Sequence, residues 1–418
     1  SRLIVGGPMM GFTLPALDAP IIKTSNCLKG DNRREQISQE QEVMNIKLVA
    51  RYIGIALVFN AIFMFISLAV SAVNGFDSSF SPFLLSAFIT AMVGCCPLIF
   101  VRGQDNVNLR EGFAITIFSW FLSCIFGMLP YVLWGGEFTL SNAWYESVSG
   151  YTTTGGTVLT DVEALPKGLL FWRSSTHFIG GMGVMVFMLL VLPSMSMFRM
   201  RISRIEISSL SKDNYRLRSK ETVRVIAATY VGITVFTTAA LMVAGMSFFD
   251  AVNHAMSIVS TGGFSTRNLS IMYYDSLAIE IVCIVTMYIS TLHFGMVYAL
   301  FVKRSTALLK SPVFKYFMAF CLLMSIIIGL DLKVNGDAET YGEAMRLSFF
   351  QFSSIISSTG LATADTSVWP LLSIFLLLFA MYHGGCSGST CGGIKADRIW
   401  IFYKVLKSNV YKQLHPNA

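Results

Sequence analysis

Long apolar runs constrain this chain more than any other feature. They fall at roughly 48–73, 80–101, 112–134, 168–193, 223–245, 277–302, 313–330 and 370–407. A helix rises about 1.5 Å per residue, so about 20 apolar residues cross a hydrocarbon layer about 30 Å thick. Most of the runs are that long, and the last is interrupted by glycines. Composition agrees: 54% of the residues are hydrophobic, only 13% are charged, and the mean hydropathy is +0.62. A soluble domain carries about 25% charged residues. The chain is therefore expected to be an all-α integral membrane protein that crosses the lipid bilayer several times. Its net charge of +7 calls for no nucleic acid, because the Lys and Arg residues sit in loops between the runs. The eight cysteines show no framework spacing. Most lie in apolar runs, where a thiol packs as a small hydrophobe. Cys386 and Cys391 are near neighbours, but no His or Cys clusters beside them to complete a metal set.

Between the runs, one kind of turn recurs. It reads Tyr151-Thr152-Thr153-Thr154-Gly155-Gly156-Thr157, then Ser260-Thr261-Gly262-Gly263-Phe264-Ser265-Thr266, then Ser357-Ser358-Thr359-Gly360-Leu361-Ala362-Thr363. Gly155, Gly263 and Gly360 repeat at roughly 100-residue intervals, the signature of an internal repeat of domain scale. Irregular backbone at membrane depth leaves carbonyls unpaired, which is tolerated only inside protein or facing water. A set of such carbonyls can replace the hydration shell of a cation. The three turns read as copies of an ion-selectivity filter, with Thr153, Thr154, Gly155, Thr261, Gly262, Gly263, Ser358, Thr359 and Gly360 as its residues. Short helices over about 140–152, 248–260 and 345–357 lead into the turns. Their polar starts, Ser141-Asn142, Asp250 and Glu343, are suited to be caps or first-turn acids. Each helix ends at its Gly turn, which aims its negative dipole end at a bound cation.

Loop charge sets the orientation. Basic residues collect at Arg102 and Arg110, from Arg199 to Lys220, from Lys303 to Lys315 and from Lys395 to Lys412. The alternate loops carry Asp77, Glu137 and the mixed group Asp331, Lys333, Asp337 and Glu339. The positive-inside rule places the basic loops in the cytoplasm and all three Gly turns toward the outside. The parts are then a leader (1–45), two extra helices (46–110), a first unit with its basic linker (111–221), a second unit (222–311) and a third (312–418).

Gly384 to Lys395 resembles a fourth turn but follows Gly360 too closely to hold the helices of another unit. The run 370–383 extends only about 21 Å as helix. The small residues Gly384, Gly385, Ser387, Gly388, Ser389, Thr390, Gly392 and Gly393 are therefore expected to break the second helix of the third unit inside the membrane. There they would plug the pore from below as a gating loop over 384–394. Lys395 would anchor its closed state.

These motifs together resemble the Trk/Ktr/HKT superfamily of potassium transporters, and within it the Trk-type pore subunit. The resemblance covers roughly residues 48–418. It rests on Thr152-Thr153-Thr154-Gly155, the run Phe178-Ile179-Gly180-Gly181-Met182-Gly183, Ser260 to Thr266, and Gly384 to Lys395 with His415-Pro416-Asn417-Ala418 beyond. It implies a pseudo-fourfold pore with one filter glycine per unit, K+ bound at those glycines as the transported ion, and no cofactor. It also implies a homodimer, and a cytosolic ring of nucleotide-binding regulatory subunits of the TrkA-like kind. Three of the four units are present here. The expectation is a plasma-membrane potassium uptake protein of bacterial type, with a fourth repeat needed to complete the pore. Gly155, where a serine would favour sodium in the family, points to potassium. A sodium-permeable relative and a non-conducting assembly protein are the alternatives. The absence of HExxH, GxSxG and any intramembrane carboxylate pair argues against a membrane enzyme.

Several ionisable residues lie near the turns. Glu146, Asp250 and Arg346 are expected either to cap and salt-bridge around the filter or to meet the ion. Arg173 reads as an interfacial anchor or an ion-pair partner. His177, His254 and His293 read as hydrogen-bonded packing.

Overall fold

The computed structural model describes residues 44–101, 109–191 and 219–414. The leader up to residue 43, most of the basic linker and the 415–418 motif lie outside them.

Helices α1 (Ile46–Val73) and α2 (Phe80–Phe100) form a hairpin. They cross at two glycines: a Cβ on Gly54 would lie 2.6 Å from the carbonyl oxygen of Gly94. Small residues at a crossing let helix backbones approach, which is how helices associate where lipid removes the hydrophobic drive. The hairpin turn is held by Asp77. Its Oδ1 accepts from the Ser71 and Ser79 hydroxyls and from the Ser79 N–H at 3.1 Å. Its Oδ2 accepts from the N–H of Gly168 at 3.3 Å.

A pattern then recurs. First come α3 (Leu109–Gly127), α4 (Leu129–Trp134), the short α5 (Leu140–Tyr151) and α6 (Lys167–Val191). Next come α7 (Ser219–Val243), the short α8 (Phe248–Val259), α9 (Leu277–Ser290) and α10 (Phe294–Phe301). After the one-turn α11 (Ala307–Lys310) come α12 (Pro312–Asn335), the short α13 (Tyr341–Ile356), α14 (Leu371–Tyr382) and α15 (Ala396–Leu414). Strands β1 (His383–Gly384) and β2 (Ile394–Lys395) pair in parallel between the last two helices.

Among the described residues, five helical stretches are long and apolar enough to cross a membrane, or six if α9 and α10 count as one bent span. Helix α6, with 25 residues, is about 37 Å long. Burial is inverted relative to a water-soluble protein. Ile62, Phe88, Met92, Ile117, Phe236 and Leu323 face outward, while Ser67, Ser86, Thr90 and Ser325 are fully buried. Such a surface is stable only against lipid.

Two of the apolar runs are broken, the second of them where its glycines predict. The run 277–302 bends by 113° between α9 and α10. The run 370–407 is helix, loop, helix: α14 has 12 residues, about 18 Å, before the chain leaves the helix at His383. Beyond the loop, every residue of α15 from Ile401 to Leu414 is exposed.

Candidate functional site

The three short helices begin alike. Thr139, Ser247 and Thr340 accept from the N–H groups of Asn142, Asp250 and Glu343 at 3.3, 3.2 and 3.1 Å. These hydroxyls are the N-caps, one position before each helix, where a side-chain oxygen satisfies an orphan donor. Ser141-Asn142 therefore does not cap, whereas Asp250 and Glu343 are first-turn acids. The third helix starts at Tyr341 rather than the expected 345.

They also end alike. The N–H groups of Thr154, Gly262 and Thr359 reach back to the carbonyls of Ser149, Ser257 and Ser354, each at 2.9 Å. Those of Thr153, Thr261 and Ser358 reach Gly150, Ile258 and Ile355 at 3.1, 3.0 and 2.9 Å. This paired closure requires a left-handed residue just after the cap, usually glycine. Here Thr153, Thr261 and Ser358 fill the position at φ 54°, 56° and 59°. The left-handed conformation costs an L-residue about 1–2 kcal/mol, more for a β-branched one, and such strain gathers at functional backbone. Two residues on, Gly155, Gly263 and Gly360 stand at φ 77°, 89° and 78°.

The turns meet backbone to backbone. A Cβ on Gly155 would lie 2.0 Å from the carbonyl oxygen of Gly262, and one on Gly263 would lie 2.1 Å from that of Thr359. A Cβ on Gly360 would meet nothing within 4 Å. The first turn thus abuts the second and the second abuts the third, with the next side open among the described residues. Also among the described residues, no hydrogen bond ends on the carbonyls of Thr153, Thr154, Gly155, Thr261, Gly262, Gly263, Ser358, Thr359 or Gly360. All nine residues singled out from the sequence share this one arrangement.

A second layer fixes the turns. Glu146, His254 and Gln351 occupy matching positions on α5, α8 and α13, and each ties down the segment after its glycine. Glu146 accepts from the Thr157 hydroxyl at 3.1 Å and the Val158 N–H at 3.3 Å. His254 Nε2 shares a hydrogen bond with the Ser265 hydroxyl at 2.9 Å, and the Gln351 amide donates to the carbonyl of Ala364 at 2.8 Å. The hydroxyls of Ser149 and Ser354 donate to the carbonyls of Gly156 and Leu361, both at 2.6 Å. Sequence reasoning missed these serines, although Ser149, Ser257 and Ser354 recur at the same intervals as the glycines.

Charged residues pair within and between the units. Arg173 is no interfacial anchor: it is 2% exposed and pairs with fully buried Glu146 at 2.7 Å. Arg267 pairs with Asp250 at 3.1 Å and Glu163 at 3.4 Å, and Arg346 with Glu280 at 2.7 Å and Asp275 at 2.9 Å. At the outer edge the Asn268 amide donates to Asp161 at 2.8 Å, which holds that carboxyl below its ordinary pKa.

The 384–394 loop lies against the turns and against the break between α9 and α10. Thr390 donates to the carbonyl of Val259, at the end of α8, at 3.2 Å, and the Gly392 N–H reaches the Ser358 hydroxyl at 3.2 Å. Cys386 N–H donates to the carbonyl of Thr291 at 2.8 Å, and Phe294 N–H to that of Gly388 at 3.2 Å. A Cβ on Gly388 would lie 2.7 Å from the His293 ring, and one on Gly385 would lie 2.6 Å from the Thr291 carbonyl. The Ser387 N–H donates to Asp397 at 2.6 Å, and Ser389 donates to the carbonyl of Cys386 at 2.7 Å. Gly384 and Gly393 press together across the β1–β2 pair. The Lys395 ammonium donates to the Cys391 carbonyl and lies 3.5 Å from the Ser389 hydroxyl, so it braces the loop from within. The roles of Thr291 and Asp397 were not visible in the sequence, where His293 read as hydrogen-bonded packing, and its Nδ1 indeed accepts from the Gly295 N–H at 3.0 Å. Among the described residues, no three His, Cys, Asp or Glu side chains come together as a metal set.

Repeated units of long helix, short half-crossing helix, glycine turn and second helix define a multi-pass membrane protein of the pore-loop class. A family model described as TrkH, cation transport protein, matches residues 79–328 and 337–418. The chain belongs to the TrkH family of cation transport proteins. It is 34% identical over 379 residues to the Trk system potassium uptake protein TrkH of Halomonas elongata, covering 90% of this chain and 78% of the relative. It is 31% identical to TrkH of Escherichia coli K12 over the same shares. The crystal structure of the potassium transporter TrkH from Vibrio parahaemolyticus superposes with a TM-score of 0.78 at 28% identity, covering 90% of this chain and 78% of that one.

Proposed function

We propose that this protein takes up potassium across the plasma membrane, by permeation through a filter lined with backbone carbonyls of the three turns. One observation carries the reading. Three segments remote in sequence adopt one strained backbone, meet at their glycines, and leave nine carbonyls without partners among the described residues. A buried polar group without a partner is costly, and so is a cation stripped of water. Each offsets the cost of the other when carbonyls replace the hydration shell. The relatives' names supply the ion, and Gly155 in place of serine agrees with it. K+ is the cargo at the filter glycines, and the reading needs no cofactor.

The 384–394 loop is the gate in this reading, since it packs beneath the second and third turns through Thr390 and Gly392. The relatives are named as parts of a Trk system, which supports a multi-component assembly. By family resemblance, the reading includes a homodimer and a ring of cytosolic nucleotide-binding subunits.

The test is Gly155→Ser in the reconstituted full-length protein. Reversal potentials should show a lower preference for potassium over sodium. An unchanged preference would remove Gly155 from the filter. Absence of any rubidium flux from the unsubstituted protein would favour a non-conducting role instead.

A further inference from the structure

We infer that Phe264, gripped by Arg173 and His177 of the neighbouring unit, is a specificity-determining positioning residue: it sets where the second filter turn stands and hence how strongly potassium is preferred over sodium. The inference rests on the filter reading above and adds to it residues that line no pore.

Phe264 directly follows the filter glycine Gly263. Its ring does not pack within its own unit alone. It stacks on the His177 imidazole with ring centroids 4.0 Å apart and an interplanar angle of 14°. The Arg173 guanidinium lies 4.2 Å from the same ring. Arg173 and His177 are four residues apart on α6, so they lie on one face of that helix. All three side chains are buried: His177 is 0% exposed, and Arg173 and Phe264 are each 2% exposed. Arg173 also donates to the carbonyl of Ser265 at 3.3 Å, so it holds the backbone on the far side of Phe264.

His177 makes a second contact with the same turn. A Cβ on the filter residue Gly262 would lie 2.3 Å from its Nδ1. The imidazole is therefore the wall behind Gly262. Nδ1 is 3.4 Å from the hydroxyl of Ser257, whose carbonyl receives the N–H of Gly262. Arg173 is held in turn by Glu146, the residue that ties down the first turn. A single buried chain of contacts thus runs from the first turn through Glu146, Arg173 and Phe264 to the second.

The chemistry suits a spacer. An aromatic ring is rigid, with two side-chain torsions, and a cation over its face or a stacked ring fixes it further. Carbonyls discriminate between potassium and sodium through their number, field strength and spacing. A wall that holds Gly262 and Gly263 in place controls the spacing without touching the ion.

The experiment measures potassium-to-sodium permeability ratios of the reconstituted full-length protein. Phe264→Leu keeps an apolar side chain but removes the ring, and should lower the ratio about threefold to tenfold. Phe264→Tyr keeps the ring and should restore it, a rescue that mere loss of folded protein would not show. Gly263→Ser, run in parallel, probes the filter itself. If Gly263→Ser lowers the ratio while folded Phe264→Leu leaves it unchanged, the positioning role is wrong and the filter reading stands. If neither changes the ratio, the filter reading has failed and this inference with it. If Phe264→Leu does not fold, His177→Leu removes the stacked ring from the other side. It should give the same loss, and an unchanged ratio there would overturn the proposal.

Discussion

Glu146 and Arg173 form a buried ion pair, and their environment decides what substitution does. Glu146 accepts from Thr157, Val158 and Arg173 and is fully buried, so all three partners feel a substitution there. Removing one partner of a buried pair leaves the other charge uncompensated, at about 3–5 kcal/mol, while replacing both by apolar groups is often neutral. Glu146→Leu should therefore lower the melting temperature in detergent more than the double variant Glu146→Leu with Arg173→Met. A double variant that melts lower than the single one would show that Arg173 supports the fold independently of Glu146. The pairing was only half legible in the sequence: an arginine near the start of an apolar helix marks a partner, but not which one. The same holds at Thr153, Thr261 and Ser358. Their hydroxyl-rich setting was plain, yet nothing in a threonine announces a left-handed backbone, because its branched side chain normally avoids it. Only the three-fold recurrence of the closure reveals it.

At the scale of elements, the break between α9 and α10 explains how the 384–394 loop is seated. Ser290-Thr291-Leu292-His293 contains neither glycine nor proline, so no local signal ends the helix there. The chain turns because its freed backbone finds partners in the loop: the Thr291 carbonyl takes the Cys386 N–H, and the Phe294 N–H takes the Gly388 carbonyl. Tertiary contact overrides a sequence that reads as one span. The break in this helix was legible, because the run 370–383 reaches only about 21 Å as helix before its glycines, short of the hydrocarbon core. Removing several small residues from 384–394 should raise potassium flux in proteoliposomes and leave ion preference unchanged. A shortened loop in a normally folded protein with unaltered flux would end the gating role. The helix starts teach a narrower lesson. The acids Asp250 and Glu343 drew attention, while the caps were the hydroxyls of Ser247 and Thr340 three residues earlier, the first half of the capping-box pattern.

For the molecule as a whole, repeat and hydropathy carried most of the fold, because a membrane restricts backbone to few solutions. Contacts between units did not follow from them, since nothing in the sequence pairs Arg346 with Glu280 or Asn268 with Asp161. Asp77 shows how one such contact couples to pH. It joins the α1–α2 turn to the start of α6. Partial burial alone would raise its pKa, but hydrogen bonds from Ser71, Ser79 and the Gly168 N–H outweigh that and hold it below the ordinary carboxylate value. A carboxyl depressed on folding adds stability that is present above the unfolded value, near 3.9, and is lost as pH falls through the folded value. Asp77→Asn should lower the melting temperature at pH 7 and reduce the difference between the melts at pH 7 and pH 3. An equal acid-induced drop in both proteins would exclude Asp77 as a source of that sensitivity.

The glycine contacts have a direction. Gly155 leans on the second turn and Gly263 on the third, so a side chain added at one turn intrudes on its neighbour rather than on its own unit. Mutational effects in such a site propagate one way round. Alanine at Gly155 would displace the second turn, which itself carries Gly263 against the third, so the combined effect of alanine at both would depart from the sum of the two. The three turns are therefore open to epistasis, and a change of ion preference would arise more readily from coordinated substitutions in adjoining units than from one unit drifting alone.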